Sequence, residues 1–541
     1  MTTTMTFHAA LAKALVDNGA RTMFGLIGDA NLYMADSYVR LHGGQFIAAA
    51  HEVGAALMAL GYAARTGGVG VATVTHGPGL TNTMTALVEG VKASLSMVLV
   101  CGDTAIEDRD SLQNVAQREL VLATGAGFEQ LRSPRTLAED VATAFRRATM
   151  ERRPIALNIP ADFMWLEVEY TALSQRILAA PPGLSTGLEL EEAAAIIAAA
   201  RRPIVLAGRG AVVRNARDSL LRLIARTEAL AATTLKAKSF FAGEACDIGI
   251  FGTLSTPEAS AAIADSDCII AFGASLNRFT TFHGTLLRGK RLVQVSFDPA
   301  EIGRFGVRAN VALVGDPGVV ADALVRLLDE AEIPPSGFSR EWTGSAPIMD
   351  EPGRVGAEGV DLPLALRQLN RMVPAGRIVF TDAGRFIGPT WKTIDVERPE
   401  LFHLTNNFGS IGLGLSEAIG ACIADPDRPV LLVTGDGGFM LGGLTEFNTA
   451  VRHGCDLIVV VCNDSSYGAE HIQYRRKEMD PSLSLFAWPD FGPVAEALGG
   501  KGVTVRNHGD MGAVARAIAT RDRPLLIDIK LDPDHVPQLQ L

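Results

Sequence analysis

Basic charge, aromatic side chains and long apolar runs are all scarce in this chain of 541 residues. Lys and Arg number 49 against 60 Asp and Glu, for a net charge of −11. A nucleic-acid groove needs a basic stripe, so that class of partner is excluded. A small anionic ligand is not, because a bound metal or aligned backbone dipoles overrule the global field locally. No apolar run approaches the roughly 20 residues that span a bilayer. The opening stretch, MTTTMTFHAALAKALVDNGA, lacks the basic start and long apolar core of a secretion signal and reads as an amphipathic helix. A cytoplasmic protein with no membrane partner is therefore expected. The six cysteines (Cys101, Cys246, Cys268, Cys422, Cys455 and Cys462) form no CxxC pair and no ladder of ligand spacing. That pattern excludes a disulfide scaffold and leaves buried free thiols.

Hydrophobic residues make up 48% of the chain, and 55 positions are glycine. This suits α/β layers of small, closely packed elements, and the length calls for more than one core. Three blocks each repeat a strand, a glycine-rich turn, a helix and another strand: residues 68–103, residues 201–213 continuing through 267–277, and residues 428–464. Alternation of this kind predicts mostly parallel sheets covered by helices. Residues 172–186 and 331–360 are rich in Pro, Gly and Ser and read as linkers. The expected domains are 1–171, 187–330 and 361–541, the first and third alike in layout and the middle one different.

The most telling stretch is VLLVTGDGGFM, residues 430–440. A buried strand over Val430–Thr434 breaks at Gly435 and leaves Asp436 beside Gly437 and Gly438. A helical stretch follows, then a second strand over Leu457–Cys462 that ends at Asn463. A right-handed crossover puts both strand ends on one sheet edge, where open α/β sheets bind ligands. A carboxylate and an amide oxygen suit Mg²⁺ or Ca²⁺, with backbone, water and the ligand's own oxygens completing the shell. The glycines allow backbone N–H groups close to phosphate oxygens at a helix start. The competing reading makes Asp436 a helix cap. GxGxxG is absent here.

With Asn463 at the crossover distance, GDGGFMLGGLTEFNTAVRHGCDLIVVVCND resembles the thiamine-diphosphate motif. HEVGAALMALGYAARTG (51–67), RPIALNIPADF (153–163), LVQVSFDPAEIG (292–303) and FGSIGLGLSEAIGA (408–421) extend the match along nearly the whole chain. The sequence resembles the decarboxylase and acetolactate-synthase group of thiamine-diphosphate enzymes. The resemblance implies a pyrimidine-binding, a middle and a diphosphate-binding domain. It implies that Asp436, Asn463 and the backbone carbonyl of Ser465 hold Mg²⁺, and that Gly409, Gly435, Gly437, Gly438, Tyr467 and Gly468 line the cofactor. Ile411, expected to be buried, would support the cofactor's V shape from below.

Glu52 follows the apolar run QFIAAA and reads as an inward-facing carboxylate at a strand end, which burial would keep neutral. The resemblance assigns it the hydrogen bond to the cofactor's N1′, across a subunit interface, so a homodimer is the smallest active unit implied and tetramers are within the family's range. The implied reaction is C–C cleavage or formation next to a carbonyl. Most directly, a 2-oxo acid loses CO₂ to give an enamine that is protonated to an aldehyde or added to a second carbonyl.

The residues that sort subfamilies point in different directions. Asp29 in FGLIGDANL and His76 in THGPGLTN resemble proton-handling positions of decarboxylases; a turn aspartate is the plainer reading of the former. Gln113 in LQNVAQ resembles the glutamine of synthases and carboligases. Tyr467, Gly468 and Glu470 line the edge after Asn463, with Glu470 one residue off the place of the decarboxylase glutamate, while His471 and Gln473 read as a solvated helix face. GASLNRFTTFHG departs from the arginine-bearing pattern of flavin-binding members, which leaves FAD, a nucleotide such as ADP and an empty middle domain all open. The alternatives are a 2-hydroxy ketone lyase, a cyclic-diketone hydrolase and, from another class, a non-catalytic regulatory subunit; the presence of Glu52, Asp436, Asn463 and Ile411 together argues against the last.

Overall fold

The computed structural model describes residues 3–108, 110–173, 187–344 and 359–537. These residues contain three six-stranded sheets and one two-stranded ribbon, in which β1 (Thr3–Thr6) pairs antiparallel with β8 (Glu167–Tyr170). The helix expected at the start is shorter than its sequence pattern, Phe7–Asp17, because the first residues go into that ribbon.

The first sheet holds β2 (Thr22–Gly25), β3 (Gln45–Ala48), β4 (Gly70–Val74), β5 (Met97–Asp103), β6 (Gly127–Gln130) and β7 (Pro154–Pro160). Its order is β3-β2-β4-β5-β7-β6, parallel throughout. The middle sheet holds β9 (Pro203–Ala207), β10 (Leu230–Thr233), β11 (Asp247–Ile250), β12 (Cys268–Phe272), β13 (Arg291–Ser296) and β14 (Val311–Val314). Its order, β11-β10-β9-β12-β13-β14, is the doubly wound one. The third sheet holds β15 (Ile378–Thr381), β16 (Phe402–Leu404), β17 (Val430–Gly435), β18 (Leu457–Asn463), β19 (Lys501–Val505) and β20 (Leu525–Lys530). Its order, β16-β15-β17-β18-β20-β19, repeats the first sheet strand for strand, and the middle sheet does not share it.

The central strands are apolar on both faces, as helix-covered parallel strands must be: Val98, Leu99, Ile155, Leu432, Val459 and Val460 are all buried. The first and third sheets belong to one compact unit and the middle sheet to another, which also takes Gly388–Phe402. Within that second unit the buried Lys238 ammonium donates to the carbonyls of Trp391 (2.7 Å) and Ile394 (2.6 Å). Of the Pro-, Gly- and Ser-rich stretches, 174–186 and 345–358 lie outside the described residues. Residues 331–344 carry a short turn, Phe338–Glu341, whose Phe338 is buried in the middle core.

Inside the first unit two helices cross closely, Glu52–Thr66 from the first block and Gly414–Ala424 from the third. A Cβ on Gly61 would stand 1.9 Å from the Glu417 carbonyl oxygen, and one on Gly420 would stand 1.9 Å from that of Met58. Both glycines are there for space. The pairing is reciprocal, with three residues separating partner from glycine on each helix, so the two blocks face each other about an approximate two-fold axis. Arg65 and Asp425 close the far end of the crossing with an ion pair of 2.6 Å.

Candidate cofactor site at two matching sheet edges

In the third sheet the switch point lies between β15 and β17. β17 pairs with β18 up to Gly435↔Cys462, so Asp436 and Asn463 leave adjacent strands at the same level. Asp436 opens a helical turn whose cap is Gly435, and no side chain caps that turn. Its Oδ2 instead accepts from the backbone N–H of Ser466 at 3.1 Å, across the edge. The cap position of that turn belongs to Gly435, and Asp436 is its first residue. Asn463 donates from Nδ2 to Asp528 (2.8 Å), which fixes the amide's orientation and keeps Oδ1 on the side of the Ser465 N–H at 3.2 Å. Ser465 has φ +53°, a left-handed conformation that turns the chain sharply after the strand.

This edge is crowded with buried carboxylates. Burial and then the neighbouring Asp464 push the Asp436 carboxyl up to about 7. Asp464 is itself raised by burial, and its Oδ1 accepts from the Ser466 N–H and hydroxyl. Asp382, at the end of β15, is pushed up to about 6 by burial. It accepts from the Gly412 N–H (2.9 Å) and the Thr434 hydroxyl (3.0 Å). Two like charges held in one dry place favour protonation unless a cation joins them. Among the described residues no three His, Cys, Asp or Glu side chains converge on a metal position. A hard cation here therefore has one carboxylate, one amide oxygen and backbone to use, a donor set that fits Mg²⁺ with its remaining positions on water and phosphate.

The glycines bring the other candidates together. A Cβ on Gly437 would meet the Tyr467 ring at 2.7 Å, with the Ile411 Cδ1 at 3.9 Å. One on Gly438 would meet Asp382 Oδ2 at 2.9 Å, and one on Gly468 would meet Asp464 Oδ2 at 2.7 Å. Gly435 lies against Phe386, and Gly409 (φ +84°) has open space around it. Ile411 is half-buried, contrary to the expectation of burial, because the Gly409–Gly412 turn carries it along the edge of the core. Tyr467 is 39% exposed and starts a ring ladder, edge-on to Phe486 (4.6 Å), which stacks on Trp488 (4.7 Å). Gln473 is exposed as expected and Glu470 is exposed too, whereas His471 is not. Its ring is buried between Ser484 Oγ (3.2 Å) and Asp534 Oδ1 (2.9 Å), tying the Gly468–Arg476 helix to the C-terminal segment.

The first sheet gathers the other four candidates at its own carboxyl edge. Asp29 is exposed in the turn after β2, and His76 follows β4 across the equivalent switch point. His76 is only 9% exposed, less accessible than the sequence suggests. Burial lowers its pKa, while Asp103 and then Asp29 partly oppose that, so the ring is neutral at pH 7. Gly77 (φ +57°) lets the Gln113 backbone press against the turn: a Cβ there would lie 2.3 Å from the Gln113 carbonyl oxygen. Glu52 is the first residue of its helix and not a strand-end group, and it is not isolated. Asn82, at the end of the same His76 turn, donates to its Oε2 at 3.0 Å. His51 Nδ1 lies 3.7 Å from that carboxylate but accepts from the Val53 N–H, so it has no proton to offer there.

Residues 5–124, 190–324 and 382–529 match the descriptions "Thiamine pyrophosphate enzyme" N-terminal TPP binding domain, central domain and C-terminal TPP binding domain. The chain belongs to the thiamine pyrophosphate enzyme family. The two cofactor-binding descriptions fall on the two sheets of identical order, and the central one on the doubly wound sheet. Relatives of this thiamine pyrophosphate enzyme include a probable acetolactate synthase large subunit of Methanococcus aeolicus, 27% identical over 97% of the chain and 92% of the relative. The acetolactate synthase isozyme 2 large subunit of Escherichia coli (strain K12) is 28% identical, covering 96% and 95%. The sulfoacetaldehyde acetyltransferase of Alcaligenes xylosoxydans xylosoxydans is 28% identical, covering 95% and 90%. Among the described residues no helix is long and apolar enough to cross a membrane.

Several residues at these edges escape a reading of the motifs. Asp382 in VFTDAG has the same signature as Asp436, a carboxylate after a β-branched buried strand, and is legible on that ground. Asp464 stands directly beside Asn463. Gln117 carries no such signal: its buried amide accepts from the Gly77 N–H (2.8 Å) and donates to the Gly102 carbonyl (2.9 Å) and Asn158 (2.6 Å). Asn158 passes the network to Asp103 at 2.6 Å. Asp103, Gln117 and Asn158 also line a cavity of about 610 Å³.

Proposed function

We propose that this enzyme uses Mg²⁺ and thiamine diphosphate to decarboxylate a 2-oxo acid and join the retained carbons to a second carbonyl, as a carboligase or acyl transferase. The observation that carries the reading is the pairing of Asp436 with Asn463 at the carboxyl edge of the third sheet, in a chain whose relatives include acetolactate synthases and a sulfoacetaldehyde acetyltransferase. Asp436, Asn463 and the Ser465 carbonyl would hold the metal against the diphosphate. Gly435, Gly437, Gly438 and the Tyr467–Gly468 turn leave room for it, and Gly409 and Ile411 would support the rings. The bound cofactor supplies a carbon nucleophile and an electron sink for the chemistry next to the carbonyl.

The chain's own part is to hold protons and exclude water. Glu52, at a helix start and oriented by Asn82, would hydrogen-bond N1′ and set the proton balance of the aminopyrimidine. Neutral His76 accepts or returns a proton at the substrate, Asp29 supports its basicity, and Gln113 orients the acceptor. Because the family resemblance sets Glu52 and Asp436 against one cofactor across a subunit interface, a homodimer working in the cytoplasm is part of the proposal, with each subunit lending one edge.

The test is incubation with a panel of 2-oxo acids, with and without aldehyde or 2-oxo acid acceptors, following CO₂ and coupled product. Acetohydroxy acids or acyl products support the ligase reading. Aldehyde as the sole product supports simple lyase action, and no CO₂ from any 2-oxo acid sinks decarboxylation. For the middle domain, an absorption band near about 450 nm in the purified protein reports bound oxidised flavin.

A further inference from the structure

Among the described residues, the buried glutamates Glu446 and Glu89 lie outside the edges described above, one in each block, and each reaches into the other block. Glu446, on the Leu444–Arg452 helix, is 1% exposed. Its Oε1 accepts from the backbone N–H groups of Ala50 (3.1 Å) and His51 (3.0 Å), and its Oε2 from the Thr449 hydroxyl (2.7 Å) and, as the longer arm of a shared bond, from the Ala50 N–H (3.2 Å). The partners Ala50 and His51 are 396 and 395 residues away in sequence and immediately precede Glu52. Glu89, on the Met84–Ala93 helix, is 0% exposed. It accepts from the N–H groups of Asn407 (3.1 Å) and Phe408 (2.7 Å), at the head of the turn that leads to Ile411. Under the approximate two-fold axis the two carboxylates occupy corresponding places.

A buried carboxylate is costly unless its oxygens are satisfied, and here they are satisfied by the other block's backbone. The helix start is already capped locally, by the His51 ring accepting from the Val53 N–H, so Glu446 serves the two residues before the helix and not its cap. Gly54, in the first turn after Glu52, gives a second indication: a Cβ there would fall 2.2 Å from Glu446 Oε1. Its backbone is ordinary helix, so the glycine is there to make room for the carboxylate.

We infer that Glu446 is a positioning residue for Glu52: by gripping the Ala50–His51 backbone it fixes the height and direction from which the Glu52 carboxylate leaves its helix. Glu89 performs the matching task for the Ile411 turn. The inference rests on the proposed role of Glu52 at N1′. Its distinctive prediction is that reach, and not charge, matters at position 446.

The experiment measures deuterium exchange at the thiazolium C2 of bound thiamine diphosphate, with cofactor affinity and melting temperature, in Glu446→Asp, Glu446→Gln, Gly54→Ala and Glu52→Gln proteins. Glu446→Asp keeps the charge and loses the reach, and Gly54→Ala displaces the carboxylate while favouring the helix. Both should slow exchange by about 10²-fold, the cost of a displacement on the ångström scale, with affinity changed less than about threefold. Glu446→Gln keeps an acceptor at full reach and turns its amide toward Thr449, so exchange should return to within about threefold of the parent. Exchange at the parent rate in both Glu446→Asp and Gly54→Ala, with Glu52→Gln slow, overturns the positioning role alone. Parent-rate exchange in Glu52→Gln overturns the reading of Glu52 itself. If Glu446→Asp does not fold, Gly54→Ala decides.

Discussion

The first and third sheets share a strand order and differ at their carboxyl edges. β5 ends in Cys101–Gly102–Asp103, and β18 ends in Cys462–Asn463 with Asp464 next. After β4 come Thr75 and His76, and after β17 come Asp436 and Gly437. One scaffold thus presents a neutral histidine backed by an amide network at one edge and a group of buried carboxylates at the other. The lesson is that the fold determines where ligands meet the sheet, while two or three residues at strand ends decide whether that place handles protons or a cation.

The largest effect expected from breaking this division is at Glu52. Glu52→Gln should keep its circular dichroism and melting temperature but lose turnover by about 10²–10⁴-fold, the range for a lost acid–base group. Next, His76→Ala should lower turnover by roughly 10²-fold without weakening cofactor binding. Calorimetry showing cofactor loss instead would place His76 at the wrong edge. Asn463→Gly gives the third edge the glycine that the first has at Gly102. Calorimetric titration with and without Mg²⁺ should show its metal-dependent affinity for thiamine diphosphate falling by at least about tenfold. The smallest effect is on stability. The folded carboxyl of Asp436 stands at about 7, above its ordinary value of 3.8, so its contribution is full below 3.8 and lost as the pH rises through about 7. Melting of the metal-free protein should therefore drop from about pH 4 to about pH 7 and level off above. Asp436→Asn should reduce the drop by a few degrees, at about 2–4 °C per kcal/mol for a body of this size. An unchanged slope would show that Asp436 is not the buried charge responsible.

Much of the fold was legible because its signals are local. The β-branched runs Val430–Thr434 and Leu457–Cys462 became strands each one residue longer than read, and the spacing from Asp436 to Asn463 placed both at one edge. The likeness of the first and third blocks became identity of strand order. What local pattern did not carry was burial and partnership. His471 lies on a polar helix yet is buried, because Asp534 arrives from the C-terminal segment. Ile411 lies in an apolar stretch yet is half-buried, because the glycine turn lifts it. Glu52 looked isolated, and only the return of the chain at Asn82 gives it a partner.

By itself the sequence determined the strands, their parallel arrangement in three blocks, and the cofactor family, because periodicity, glycine turns and motif spacing act over a few residues to a few tens of residues. The tertiary structure decided which carboxylates share a dry edge, which histidine is neutral, and that Glu446 and Gly54 meet beside Glu52. Those properties depend on desolvation and on contacts between chain segments hundreds of residues apart, and no local pattern encodes them.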